Sequence, residues 1–164
     1  MKTLFLLRHA KSSWKDAGLT DFDRPLNARG RKAAPLMGKF MRKQKIQPDL
    51  LLSSPAERAR QTSALVVEAA NLNAELRYDE RIYEASVARL LNVISQIEEG
   101  ANTVLLIGHN PGLEELLEML AGEARHMPTA ALAQINLEIE KWSKVGEGAG
   151  RLVKLVKPKE LTDS

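Results

Sequence analysis

Hydrophobic positions along this chain of 164 residues fall into two patterns. Short, unbroken apolar runs occur at Thr3–Leu7, Leu50–Leu52 and Thr103–Ile107. Each is bounded by charged or turn-forming residues, the mark of a strand buried on both faces. Between and after them, apolar residues recur every three or four positions, the mark of a helix with one buried side. Leu36, Met37, Phe40 and Met41 form one such side, and Ala59, Val66 and Ala70 a second. Leu90, Leu91, Ile94 and Ile97 form a third, and Leu113, Leu116, Leu117 and Leu120 a fourth. Buried strands alternating with helices predict an α/β protein with a mostly parallel sheet.

Polar signals set the boundaries. Asn27 caps the first helix, and Pro35 predicts a kink or a fresh start near Ala33. That helix ends before Pro48. Ser54, Pro55 and Glu57 together make a capping box with proline at the first helical position, so the second helix starts there and runs to about Ala70. Glu75–Tyr78 reads as an edge strand. Ser86 caps the third helix and Gly100 stops it. Asn110 caps the fourth, Pro111 starts it and Gly122 ends it. Ala131–Leu137 and Arg151–Lys157 read as more exposed strands, joined by a turn through Gly146, Gly148 and Gly150. Residues 10–26 show no period. They form either a functional loop or an ordered surface loop pinned by Trp14, Phe22 and Leu26.

Composition narrows the class. The length fits one domain, residues 1–164, and 44% hydrophobic residues are too many for a disordered chain. The absence of cysteine excludes disulfides, thiolate metal sites and a cysteine nucleophile. The apolar part of Met1–Leu7 is too short for a signal peptide, and no run reaches membrane-spanning length. A cytoplasmic protein with no membrane partner is expected. The net charge of +3 is spread among interspersed acids and bases, which does not favour a nucleic-acid partner.

The chemistry gathers at the ends of the three apolar runs. Arg8 and His9 follow the first, Arg58 lies in the first turns of the helix after the second, and His109 follows the third. Parallel strands bring these ends to one rim, where open α/β sheets bind ligands. Two guanidiniums, two imidazoles and two helix N-termini there suit a compact dianion, most simply a phosphoryl group. A zinc site would need a third ligand at a matching strand end, and flanking arginines repel cations. A neutral imidazole attacking phosphorus, with the second imidazole stabilising the oxygens if protonated, fits better. His126 reads as structural or solvated.

Leu7-Arg8-His9-Ala10, the run from Ser53 to Thr62 and Gly108-His109-Asn110-Pro111-Gly112 resemble the histidine phosphatase superfamily. The short length and Arg24-Pro25-Leu26 resemble its small phosphohistidine-phosphatase-type branch. The resemblance implies a three-layer α/β/α sandwich and a phosphatase without metal or cofactor. It implies His9 as nucleophile, Arg8 and Arg58 as phosphate clamps and His109 as the second pocket histidine. Many relatives carry glycine after the first histidine. Here Ala10-Lys11-Ser12 follows, leaving Ser12 or Ser13 as a candidate donor to phosphate. Glu84, 26 residues beyond Arg58, is the candidate general acid, with Glu80 as alternative. The implied partner is a phosphorylated protein, such as one phosphorylated on histidine, or a small phosphorylated metabolite. A small-molecule phosphomonoesterase and a non-catalytic phosphoryl-binding module are the competing functions.

Overall fold

The computed structural model describes residues 1–161. Six strands and four helices follow one another: β1 (Lys2–Arg8), α1 (Ala28–Lys43), β2 (Leu50–Ser53), α2 (Glu57–Ala70), β3 (Glu75–Tyr78), α3 (Val87–Ser95), β4 (Thr103–Gly108), α4 (Gly112–Ala121), β5 (Leu132–Leu137) and β6 (Gly150–Val156). All six strands join one sheet in the order β3-β2-β4-β1-β5-β6. β3, β2, β4 and β1 are mutually parallel, and β5 runs against both of its neighbours. The register sets Arg8 opposite Gly108 and Ser53 opposite Ile107, so β1, β4 and β2 end level.

Side chains alternate across the sheet and define the layers. Leu4, Leu6, Leu50, Leu52, Val104 and Leu106 face α3 and α4, packing on Leu90, Ile94, Leu113 and Leu117. Phe5, Leu7, Leu51, Leu105 and Ile107 face α1 and α2, packing on Met37, Met41, Ala59 and Val66. The expected α/β/α sandwich is therefore the observed one. α1 and α2 approach closely at Gly38, where a Cβ would stand 2.7 Å from that of Ala69.

Several boundaries differ from the sequence reading. α1 is continuous through Pro35. The proline removes one backbone bond, while the buried face of Ala34, Met37, Gly38 and Met41 holds the helix together. α2 begins at Glu57 with no side-chain cap, and Ser54 does not cap it. Glu57 instead accepts a hydrogen bond from Gln61. α4 begins at Gly112, and Asn110 leaves its start uncapped to bond Glu114 and the Met127 carbonyl. α3 stops at Ser95, well before Gly100, although Ile97 stays buried in the turn beyond it. β5 is mostly buried rather than exposed, because it lies inside the sheet. Of the three proposed pins of the 10–26 loop only Leu26 is buried, and Trp14 is 76% exposed.

Candidate active site

The level ends of β1, β4 and β2 deliver Arg8, His9 and His109 to one rim, and the first turns of α2 add Arg58. The rings of His9 and His109 lie 5.0 Å apart between centroids. His9 is 6% exposed, and its Nδ1 lies 2.7 Å from the Ala10 carbonyl oxygen. A carbonyl only accepts, so Nδ1 carries the ring proton and Nε2 keeps its lone pair. Burial first, then the charges of Arg58, Arg8 and Arg24, push the His9 pKa down to about 4. The imidazole is therefore neutral at pH 7.

His109 is set by Ser54. Its Nε2 lies 2.7 Å from Ser54 Oγ, which also accepts the Ala56 N–H at 3.2 Å. With Ser54 donating to Nε2, the ring proton sits on Nδ1. Burial, followed by His9 and Arg58, pushes the His109 pKa down to about 3. The second imidazole is thus neutral in the free protein and offers a neutral N–H. Thr62 joins β1 to α2 by accepting from the Ala10 N–H at 2.9 Å and donating to the Arg58 carbonyl at 2.7 Å.

Four buried side-chain nitrogen or oxygen atoms have no hydrogen-bond partner among the described residues: Arg8 Nε, Arg58 Nε, His109 Nδ1 and Asn110 Oδ1. Three of them belong to the rim residues. The terminal nitrogens of both arginines are held elsewhere. Arg8 donates to the Met127 carbonyl at 3.2 Å, and Arg58 donates to the Asp21 carbonyl at 2.7 Å and its Oδ2 at 3.0 Å.

Asp21, Tyr83 and Arg24 complete the surroundings; of the three, the sequence picks out only Arg24, within Arg24-Pro25-Leu26, and gives it no role. Asp21 lies in a single turn of 3-10 helix, Asp21–Asp23. Its carboxylate accepts from Arg58, from Arg24 Nε at 3.2 Å and from the Tyr83 hydroxyl at 2.6 Å. Burial opposes its charge, but the bond from Tyr83 and the charge of Arg58 outweigh that and hold the carboxyl at about 2. Burial and the Asp21 bond push Tyr83 up to about 12. The Tyr83 ring meets His109 edge-on at 5.6 Å. Arg24 donates to Ser12 Oγ at 2.7 Å and stacks under Trp14, 3.4 Å from the ring centroid. The Asp21-Phe22-Asp23-Arg24 run was visible as charge in an aperiodic loop, but nothing in it named Arg58 as its partner.

The remaining candidates lie differently. Ser12 meets Arg24 rather than one of the four rim residues. Glu84 directly follows Tyr83, is exposed, and has a left-handed backbone with φ 51°. Glu80 is exposed in a cleft with Arg81, Arg89 and Asn92 on the α3 side. His126 is a surface residue whose Nδ1 lies 2.7 Å from Glu114 Oε2. Among the described residues no three His, Cys, Asp or Glu side chains are grouped to hold a metal ion, and no helix is long and apolar enough to cross a membrane.

Comparison with known proteins bears on the family and the fold. The chain is 30% identical to the phosphohistidine phosphatase SixA of Escherichia coli over 139 residues, 82% of this chain and 85% of that one. A SixA-type structure from Agrobacterium tumefaciens superimposes with a TM-score of 0.83 at 32% identity, covering 96% of this chain and 98% of the other. The protein histidine phosphatase SixA complexed with tungstate superimposes with a TM-score of 0.84 at 26% identity, again covering 96% and 98%. Residues 4–90, from the core of β1 into α3, match the model of the histidine phosphatase superfamily, branch 1, and the chain is a member of that family.

Proposed function

We propose that the protein is a phosphatase that works through a phosphoryl group carried on His9 Nε2, and that its substrate is a protein phosphorylated on histidine. The observation that carries this reading is the set of buried, unpartnered donors, Arg8 Nε, Arg58 Nε and His109 Nδ1, around an imidazole with a free lone pair. A buried donor without a partner costs roughly 1–3 kcal/mol. Three at one rim are reconciled by a ligand that brings several acceptor oxygens, as a phosphoryl dianion does. Relatives named phosphohistidine phosphatase, one of them bound to the oxyanion tungstate, support the same class of ligand.

The chemistry then follows from the side chains. The His9 Nε2 lone pair forms a bond to phosphorus while the bond from phosphorus to the substrate's nitrogen breaks. The departing imidazole, protonated by solvent on its other ring nitrogen, keeps that electron pair and leaves neutral. His9 Nδ1–H keeps donating to the Ala10 carbonyl, which fixes the ring for in-line attack. Arg8, Arg58 and His109 hold the three phosphoryl oxygens as their charge redistributes. Ser12 acts through Arg24. Water then attacks phosphorus, the bond to Nε2 breaks, and phosphate leaves with His9 neutral again. Glu84, on the turn beside Tyr83, is the proposed donor for poorer leaving groups. No step calls for a metal.

The test is chemical. Wild-type protein quenched during turnover should carry an acid-labile phosphoryl group on His9, and His9→Ala should neither label nor turn over while keeping its thermal midpoint. Label on another residue, or activity in His9→Ala, overturns the mechanism. A phosphohistidine protein should be hydrolysed with a higher kcat/KM than a panel of phosphomonoester metabolites. The reverse order would assign the site to small molecules.

A further inference from the structure

Beside the phosphoryl-binding rim lies a cationic cleft of about 360 Å³, walled by Lys11, Arg29, Lys157 and Lys159 with Pro128 and Thr129 between them. Among the described residues none of these four side chains forms an ion pair. Glu160, next to them in the chain, is engaged with the Lys157 backbone N–H at 2.8 Å. Among the described residues the four positive charges outnumber the single Glu160 carboxylate beside them, which raises the local potential and favours an anionic partner.

The cleft is built into the site. Lys11 follows His9 by two residues. Gly30 presses the first turn of α1, which carries Arg29, against the Lys11 backbone, so that a Cβ there would come within 2.2 Å of the Lys11 carbonyl oxygen. Thr129 precedes Ala130, whose N–H bonds the carbonyls of Arg8 and His9, both at 3.1 Å. Two residues back, Met127 holds Arg8. Beyond Met127 the balance of charge reverses, because His126 opens a second cleft in which Glu114, Glu115 and Glu118 outnumber Arg125. One short segment, 126–129, therefore separates an acidic side of the rim from a basic one.

A third feature favours a polypeptide as the partner. The loop that starts at Lys11 exposes Trp14, Leu19 and Phe22, at 76%, 39% and 38%. Exposed aromatic and aliphatic side chains on the loop that leaves the rim, with Trp14 against Arg24 and Phe22 against Tyr83, suit a protein surface.

We propose that the cationic cleft docks an acidic face of the phosphorylated protein substrate. Carboxylates next to the phosphohistidine lie on Lys11, Arg29, Lys157 and Lys159, while the Glu114, Glu115 and Glu118 side repels them and fixes the orientation. This rests on the phosphohistidine-protein reading above.

The experiment uses the full chain and two synthetic peptides that carry the same phosphohistidine, flanked by Glu in one and by Gln in the other. Phosphate release is followed at low and high KCl. The wild type should favour the Glu peptide by about tenfold in kcat/KM, mainly through KM, and the preference should shrink as salt screens the charges. The fourfold variant Lys11→Gln, Arg29→Gln, Lys157→Gln, Lys159→Gln should lose the preference. Lys157→Gln, Lys159→Gln alone, remote in sequence from His9, should reduce it and serves if the fourfold variant does not fold. Equal rates on the two peptides, or a preference that survives in the variants, overturn the docking proposal and leave the function standing. Hydrolysis of an aryl phosphate but of neither peptide overturns both. A labelled single-stranded oligonucleotide that binds wild type but not the variants, with the peptides treated alike, overturns the proposal in favour of a nucleic acid.

Discussion

Replacing Asp21 by alanine tests how the arginine clamp is held. The substitution removes one carboxylate that accepts from Arg58, Arg24 and Tyr83. Both arginines are 6% exposed, so each would keep a buried charge with less to balance it. The Asp21 pKa falls from 3.8 to about 2, a difference worth about 2.5 kcal/mol at about 1.4 kcal/mol per unit. The Asp21 side chain is 42% exposed, so solvent screening cuts that to about 1–1.5 kcal/mol. Because the folded-state pKa lies below the unfolded one, this stability is present above about pH 4 and is lost as pH falls through about 2. Asp21→Ala should therefore melt several degrees below wild type at pH 7, and the gap should close in acid. The Asp21 backbone carbonyl still holds Arg58 at 2.7 Å, so the clamp loosens without leaving the site. We expect kcat on an aryl phosphate to fall about tenfold to a hundredfold through misplacement of Arg58. Vanadate should bind as tightly or more tightly, since a competing negative charge is gone. Wild-type kcat and an unchanged thermal midpoint in Asp21→Ala would refute the reasoning.

Other outcomes follow from the same contacts. Below the unfolded pKa of 6.5 an unfolded His9 takes up a proton that the folded ring refuses until about pH 4, so up to about 3 kcal/mol of stability is lost across that window. A thermal midpoint flat from pH 6.5 to 4, or an acid limb of kcat/KM near 6.5 rather than near 4, would contradict the neutral imidazole. Arg58→Lys keeps the charge but loses the Nε edge and should lower kcat/KM by about tenfold to a thousandfold, measured on an aryl phosphate. Glu84→Gln should slow phosphoenzyme formation from alkyl phosphates by about a hundredfold and from aryl phosphates hardly at all in single-turnover assays; equal slowing of both would point to positioning. Prolonged treatment with a chelator should leave turnover unchanged.

The sequence showed the frame of the site more clearly than its setting. Arg8, His9 and His109 were legible because buried strands announce their own ends, and Arg58 because proline, serine and glutamate marked a helix start. The same polar signals misplaced two helix starts. A short polar side chain can bond its own backbone or a distant group, and local pattern does not choose between them. Ser54 met His109, 55 positions away, and Asn110 met Met127, 17 positions away. Asp21 and Tyr83 escaped notice, and Arg24 stood only as part of the Arg24-Pro25-Leu26 motif, for a related reason. Asp21 reaches Arg58 across 37 positions and Tyr83 across 62, from a loop with no period to align it. Glu84 rested on the family resemblance and its distance along the chain from Arg58, and that distance says nothing of where an exposed carboxylate points.

The place of β4 bears on how the protein comes into being on the ribosome. β1 and β2 never touch; β4 lies between them and pairs with both. The end of β1 that carries His9 and the strand that leads to Arg58 are brought level only when a segment from the second half of the chain is inserted between them. A nascent chain that has not yet released Thr103–Gly108 holds His9, at the end of β1, and Arg58, at the start of α2, without the strand that aligns them. The site is therefore a late product of synthesis, and its assembly depends on contacts distant in sequence, which close slowly.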